Sequence, residues 1–491
     1  MRANSPALSL LLGLVITSTV HAQQAPSAAL MPPVATDTVR LTLAAALAEA
    51  RSASEQVGIA EADVSRSKGV VTQTRAALLP QVNLGPQYTR VLASPYENLF
   101  SGGSSGVENP FTSTNQWRLG GSVGISLFNL GQWSQLGASQ AATRVSQLQL
   151  TQQQALTILT VASAYYDASL SAQLLAITEF TLAQAEKTLA DVTLGREVGT
   201  QSEFEQLRAR VSRDNQIPVV TRTRANREIA VTRLKQLLDI PLSAELVLAT
   251  PLDDSPDIGD LPPDVAAMIT SADTTVQARA VVQTAAATVV QSEQLNTAAS
   301  RQWIPTMSTT MNYNRAGYSS DFFPVNSQFG NDWTINAVVN WPLFTSGRIS
   351  GARQQAAANL EAARLRAKLT GEQAALDNAT VNARLREARD NSLATASVVE
   401  QATRAYEIAE LRYSEGVSTQ TELQDVRLQL EQARANQAQA ARDMQVARFR
   451  RALLPYLPLG TADGVALTTS SVTSAGTAAQ AVAGASPTSG R

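Results

Sequence analysis

Residues 115–128 read NQWRLGGSVGISLF, and 216 positions further on residues 331–344 read NDWTINAVVNWPLF. One offset carries Asn115 and Trp117 onto Asn331 and Trp333, Leu127 and Phe128 onto Leu343 and Phe344, and Gly131 onto Gly347. Both stretches also alternate. Trp117, Leu119, Gly121, Val123, Ile125 and Leu127 are interleaved with Arg118, Gly120, Ser122, Gly124 and Ser126, and Trp333, Ile335, Ala337, Val339 and Trp341 with Thr334, Asn336, Val338 and Asn340. A period of two marks a strand with one apolar face and one small or polar face. The chain therefore holds two copies of one design, and the design contains such a strand.

The landmarks continue outward from these strands. Pro80, Tyr88 and Arg90 recur as Pro305, Tyr313 and Arg315, and Gly199, Glu205 and Arg210 recur as Gly416, Glu422 and Arg427. Upstream, Val82, Leu84, Pro86 and Tyr88 keep the parity of Met307, Thr309, Met311 and Tyr313, so the apolar face is shared. Sixteen of the 24 aromatic residues, including all five tryptophans, fall within residues 81–133 and 303–344. Strands of about 9 to 11 residues with an apolar face and aromatic ends suit a tilted crossing of a membrane. Each window predicts one hairpin, over 81–128 and 305–344, giving four strands per chain. Open sheet edges are not tolerated in lipid, so several chains must share one barrel. Two chains would supply eight strands and a filled interior; three would supply twelve and room for a lumen. The hairpin loops, 91–114 and 316–330, are rich in Gly, Ser, Asn and Pro and are expected outside the membrane.

Composition removes most other function classes. Arg2, the apolar run Leu8–Ile16 and the small residues near Ala22 predict a secretory signal over residues 1–22, with the mature chain starting near Gln23. There is no cysteine, hence no disulfide and no lipid-bearing N-terminal Cys, and the one histidine, His21, falls in the signal. Without His or Cys the mature chain lacks the parts of a nucleophilic triad or a soft-metal site, so an enzyme is not expected, nor a cofactor. The balance of 39 basic to 41 acidic residues gives no nucleic-acid footprint. No apolar run of about 18 residues follows the signal, which leaves strands as the only means of insertion.

Everything else reads as helix rich in Ala, Gln, Leu, Glu and Arg. The first repeat spans 23–240, with an opening helix at 41–79 and a long helical hairpin at 134–239. The second spans 264–458, with an opening helix at 264–302 and a long hairpin at 348–454. The outgoing helices predict lengths of roughly 90 to 100 Å and the return helices about half that. Stacked end to end, an opening helix and a return helix would match one long helix. Leu393, Ala396, Val399 and Ala402 going down, with Leu423, Val426, Leu430 and Ala433 coming up, predict a coiled-coil seam. Five prolines mark residues 241–263 as a linker, and residues 459–491 have too little apolar bulk to fold.

With these pieces in this order the chain resembles the TolC-like outer membrane efflux proteins. The most specific matches are Trp341-Pro342-Leu343-Phe344 with Gly347, and Gly416-Val417-Ser418 through Glu422 and Arg427; Leu41-Thr42-Leu43 leading to Leu79-Pro80 is similar to the family's opening helix. The resemblance implies a mainly α fold with membrane β: an antiparallel coiled-coil α-barrel and four transmembrane strands per chain, completing a 12-strand β-barrel in a homotrimer. It implies a passive exit duct across the periplasm and outer membrane of a Gram-negative bacterium, unlipidated. A periplasmic adaptor and an inner-membrane pump of RND, ABC or MFS type would be its partners, in drug efflux or type I secretion. The competing reading is an envelope-spanning scaffold or adhesin that transports nothing.

The resemblance also implies roles for individual residues. Glu422 and Asp425, three apart and so on one helix face, match the acidic ring of the pore constriction, although carboxylates at this spacing also populate solvated coiled-coil faces. Tyr413 and Glu205 match a gate-locking tyrosine and its acidic partner. Ser418 stands where some relatives have an arginine, so the lock is weaker here or wired through Arg412. Val198, Gly199 and Thr200 on one tip, with Gly416 and Val417 on the other, match the adaptor-docking tips. The first tip has Leu194 or Arg196 near the tyrosine position and Arg208 opposite Asp425, which places the gate in the second half.

Overall fold

The computed structural model describes residues 38–93, 113–254, 260–270, 273, 275–319, 321–322 and 329–460. The expected signal 1–22, the inner part of both hairpin loops and nearly all of the tail 459–491 lie outside the described residues. In chain order the elements are β1 (Thr38–Leu41), α1 (Leu43–Ser52), α2 (Glu55–Ala76), β2 (Gln81–Arg90), β3 (Asn115–Phe128), α3 (Leu130–Glu197), α4 (Glu203–Leu237), β4 (Glu245–Leu248), α5 (Pro263–Thr270), α6 (Ala280–Ser300), β5 (Thr306–Ser319), β6 (Phe329–Asn340), α7 (Arg348–Ser414) and α8 (Gln420–Leu453).

Two helices set the scale. α3 has 68 residues and α7 has 67, so each runs for about 100 Å. Their return helices, α4 and α8, have 35 and 34 residues. Both reversals use one device. Gly199 (φ 81°) and Gly416 (φ 72°) sit in the left-handed region, and the next residue reaches back to the last turn, Thr200 N donating to Gly195 O at 2.7 Å and Val417 N to Arg412 O at 2.8 Å. This is the Schellman stop, which needs a residue without Cβ strain at the positive φ. Ser202 and Thr419 then open the return helices by accepting from the N–H groups of Glu205 and Glu422.

The four long strands form one antiparallel sheet in the order β2-β3-β5-β6. Its register makes the two-faced reading concrete. Tyr88 pairs with Trp117, Leu84 with Gly121, Val123 with Met311, Met311 with Ile335 and Tyr313 with Trp333, so these side chains share one face. The other face holds Asn83, Gln87, Ser122, Thr310, Asn312, Asn336 and their neighbours. Among the described residues both outer strands, β2 and β6, leave one edge unpaired. β6 stops at Asn340, so Trp341, Leu343 and Phe344 lie beyond the strand, where Pro342 has no N–H to donate to a ladder.

Away from the sheet, three expectations are corrected. The opening helix predicted over 41–79 breaks at Ala53, and Ser54 starts α2 by accepting from Val57 N. The one predicted over 264–302 is split between α5, ending at Thr270, and α6, starting at Ala280. Residues 241–263 are more than a linker, because β4 pairs in parallel with β1 and Tyr165 of α3 ties the two together, donating to Leu41 O and accepting from Thr250 N. Leu43, Leu47, Tyr165, Tyr166, Leu234, Leu246 and Phe449 form the largest buried cluster around this joint.

The expected stacking of short helices takes a specific form at the second joint. Ala280 N at the head of α6 donates to Pro455 O just past α8, at 2.7 Å. Arg279, fully buried, is bound there by Asp377 of α7 at 2.7 Å and donates to the carbonyls of Ala374 and Leu457. The coiled-coil seam is confirmed on α8, where Leu423, Leu430 and Ala433 are buried, and corrected on α7. Leu393 is 66% exposed there, and the inward positions run through Val399, Ala402, Tyr406, Ala409 and Tyr413. A spacing of three throughout drifts around a helix, whereas alternating steps of three and four hold one face.

Candidate functional site

The second helical tip gathers most of the residues singled out in the sequence. Tyr413 ends the α7 seam and packs with Tyr406, Ala409 and Leu423. It borders a cleft of about 310 Å³ between the two helical hairpins, lined also by Lys187, Thr188, Asp191, Glu410 and Arg427. Burial, reinforced by the negative charges of Glu205 and Asp191, pushes the Tyr413 phenol above its ordinary value. Glu205, at the start of α4, is thus within electrostatic reach of Tyr413. Among the described residues no hydrogen bond joins the two.

Arg412 and Ser418 both make their contacts within the second tip. Arg412 Nη1 donates to Glu422 Oε1 at 2.9 Å, across the turn from the last turn of α7 to the first turn of α8. Ser418 contributes its backbone, the N–H donating to Arg412 O at 3.2 Å, while its buried hydroxyl finds no partner among the described residues. At the first tip Arg196 donates instead to the neutral amide of Gln206, which in turn donates to Thr193. Asp425 is exposed on the side of α8 away from its seam with α7, and Val198, Gly199, Thr200, Gly416 and Val417 form the exposed ends of the two tips.

The residues that sequence reasoning missed lie between the hairpins. Arg427, only 8% exposed, reaches from α8 to α3 and donates to Thr188 Oγ1 at 3.0 Å. Lys187 pairs with Glu410 at 3.6 Å, and Tyr406 donates to Gln184 Oε1 at 3.5 Å. Further along the seam, burial raises the pKa of Glu431, with the nearby Thr181 hydroxyl acting the other way. Arg442 holds Asp167 at 2.7 Å. Arg427 stands in the sequence as a repeat landmark and as the end of the tip motif, and neither signal announces a buried cation.

At the other end of the molecule the sheet presents its apolar face unshielded, with Leu84 76% and Ile335 71% exposed. Among the described residues its two edges are unpaired. No helix among the described residues is long and apolar enough to cross a membrane. A soluble sheet would cover this face with a second layer, and none covers it among the described residues.

A family model for outer membrane efflux proteins matches residues 46–239 and 272–452. This chain belongs to the outer membrane efflux protein family. The solved structures agree on the fold. VceC, an outer membrane protein of Vibrio cholerae, superposes with a TM-score of 0.68 at 16% identity over 84% of this chain and 95% of its own. A membrane protein from Pseudomonas aeruginosa gives 0.70 at 17% identity, over 86% and 95%. The open state of the MtrE outer membrane channel of Neisseria gonorrhoeae gives 0.67 at 18%, over 84% and 88%. A comparison with curated proteins finds no matching sequence. As a family member the chain is a channel protein of efflux systems in the outer membrane, and its chemistry is conduction rather than catalysis.

Proposed function

We propose that this efflux family member works as a homotrimer forming the passive exit duct of a tripartite assembly, gated at its periplasmic tip. The observation that carries the reading is the two-faced sheet with two free edges. Three copies joined β6 to β2 would close twelve strands, turning the apolar face to lipid and the Asn, Gln, Ser and Thr face to a wet lumen. The helices carry matching unfinished surfaces. Phe204, Leu207 and Val211 form an exposed apolar stripe on α4, and Leu365, Leu369 and Leu376 one on α7, which would meet between neighbouring chains.

In such a trimer Glu422 and Asp425 would place six carboxylates around the axis at the periplasmic constriction. Tyr413 and Glu205 would hold the second hairpin against the first, while Ser418 and the Arg412–Glu422 pair would brace the second tip itself. The exposed tips at Val198, Gly199, Thr200, Gly416 and Val417 would receive a periplasmic adaptor, and an inner-membrane pump would supply the energy. The same duct would serve drug efflux or type I secretion. A tethering scaffold has no use for a face of polar residues lined up in register over four strands. Purified trimer added to planar bilayers should give stepwise conductance; protein that inserts yet never conducts, even with Tyr413→Phe and Glu205→Gln to loosen the tip, would refute the duct.

A further inference from the structure

The cleft between the two helical hairpins sets a buried cation without a counter-charge beside a free carboxylate. Four ionised groups line it: Lys187 and Asp191 on α3, Glu410 on α7 and Arg427 on α8. Lys187 and Glu410 neutralise one another at 3.6 Å. Arg427 is only 8% exposed, and its hydrogen bonds go to two neutral hydroxyls, Thr188 at 3.0 Å and Tyr406. Among the described residues no carboxylate lies within ion-pair distance of it, and its Nε–H has no acceptor. Asp191 is exposed at the rim of the cleft and makes neither an ion pair nor a hydrogen bond among the described residues.

The helix fixes how near these two groups stand. Thr188 and Asp191 are three apart on α3, one turn along the same face, so Asp191 projects about 5 to 6 Å from the residue that holds Arg427. A guanidinium offers five donors and a carboxylate about four acceptor positions, and most of both are unused here. A buried cation is costly unless it is paired. Water in the cleft of about 310 Å³ would satisfy donors but supply no counter-charge. A simple anion would meet Arg427 and be repelled by Asp191, and a simple cation the reverse. Only a molecule carrying both charges a few ångströms apart answers both groups at once.

We infer that the cleft is a binding site for a small zwitterion of the amino acid type, its carboxylate on Arg427 and its ammonium on Asp191. The site itself stands on the packing of α3 against α8 within one chain. Its consequence for opening rests on the gating reading above. Because α3 belongs to the first hairpin and α8 to the second, an occupant that touches both binds better when the hairpins are together, and so favours the closed tip.

The test is isothermal titration calorimetry on purified full-length protein in detergent, with three probes built on one carbon chain: β-alanine, propionate and propylamine. β-Alanine should bind saturably, and the other two at least about tenfold more weakly, since each lacks one charge-assisted contact. Asp191→Asn alters an exposed side chain and should fold as wild type; it should bring β-alanine down to the level of propionate and leave propionate no weaker. Absence of saturable β-alanine binding, propionate or propylamine binding as tightly as β-alanine, or a preference that survives Asp191→Asn would each overturn the site. In planar bilayers β-alanine should lower the open probability over the concentration range in which it binds, and Asp191→Asn should shift that range by the same factor. Protein that binds β-alanine with this preference but opens as before keeps the site and sinks the gating reading on which its effect depends.

Discussion

Replacing Thr188 by Val should open the periplasmic tip further than removing Arg412. Thr188 Oγ1 accepts from buried Arg427 at 3.0 Å across the boundary between the two hairpins, and valine keeps the shape while deleting the acceptor. A hydrogen bond to a charged group contributes about 1.5 to 3 kcal/mol, and the loss leaves a buried donor unsatisfied in the closed state. Three copies moving together would lose about 4.5 kcal/mol at the lower figure, roughly a thousandfold in the closed-to-open ratio. The Arg412–Glu422 pair is about half exposed on both sides, so solvent screening leaves it about 0.5 kcal/mol per copy. Because that pair lies within one hairpin it persists when the hairpins part, so Arg412→Ala should leave the ratio nearly unchanged. Open probability in planar bilayers, with folding checked by trimer stability in detergent, measures both. Should Arg412→Ala open the channel as much as Thr188→Val, or Thr188→Val leave it shut, the inter-hairpin seam is not the closing element.

Other outcomes follow from the same geometry. Glu422→Ala with Asp425→Ala should relieve block by multivalent cations added on the periplasmic side, and unchanged block would remove both from the pore. The buried seam raises the pKa of Glu431 above its ordinary 4.5, so the packed seam binds a proton more readily than an opened one. Its stability should therefore rise as pH falls from the raised value toward the ordinary one, and Glu431→Gln should flatten the dependence of open probability over that window. Arg279→Met leaves Asp377 buried without its cation and should cost about 3 to 5 kcal/mol in chemical unfolding. Arg279→Met with Asp377→Leu should recover much of the loss, and a double variant no better than the single would contradict the ion-pair account.

Much of the protein is legible without coordinates because it depends on short-range rules. Strand parity, the long helices, and the reversals at Gly199 and Gly416 each follow from a period, a propensity or a positive φ within a few residues, and the register of the sheet keeps all four apolar faces together. Duplication strengthens each signal by stating it twice. What only the tertiary structure decided depends on segments far apart in sequence. β1 meets β4 across some two hundred residues, and α1 carries Leu43 and Leu47 into the joint with Tyr165 and Leu234. The α7 seam keeps Val399 and Ala402 of the expected stripe but not Leu393, because alanine-rich helices offer several faces of similar apolarity and contact with α8 selects one. Arg427 and Thr188, 239 positions apart, illustrate the same limit: each is an ordinary polar residue on its own helix, and only the packing of one hairpin against the other turns them into a buried latch.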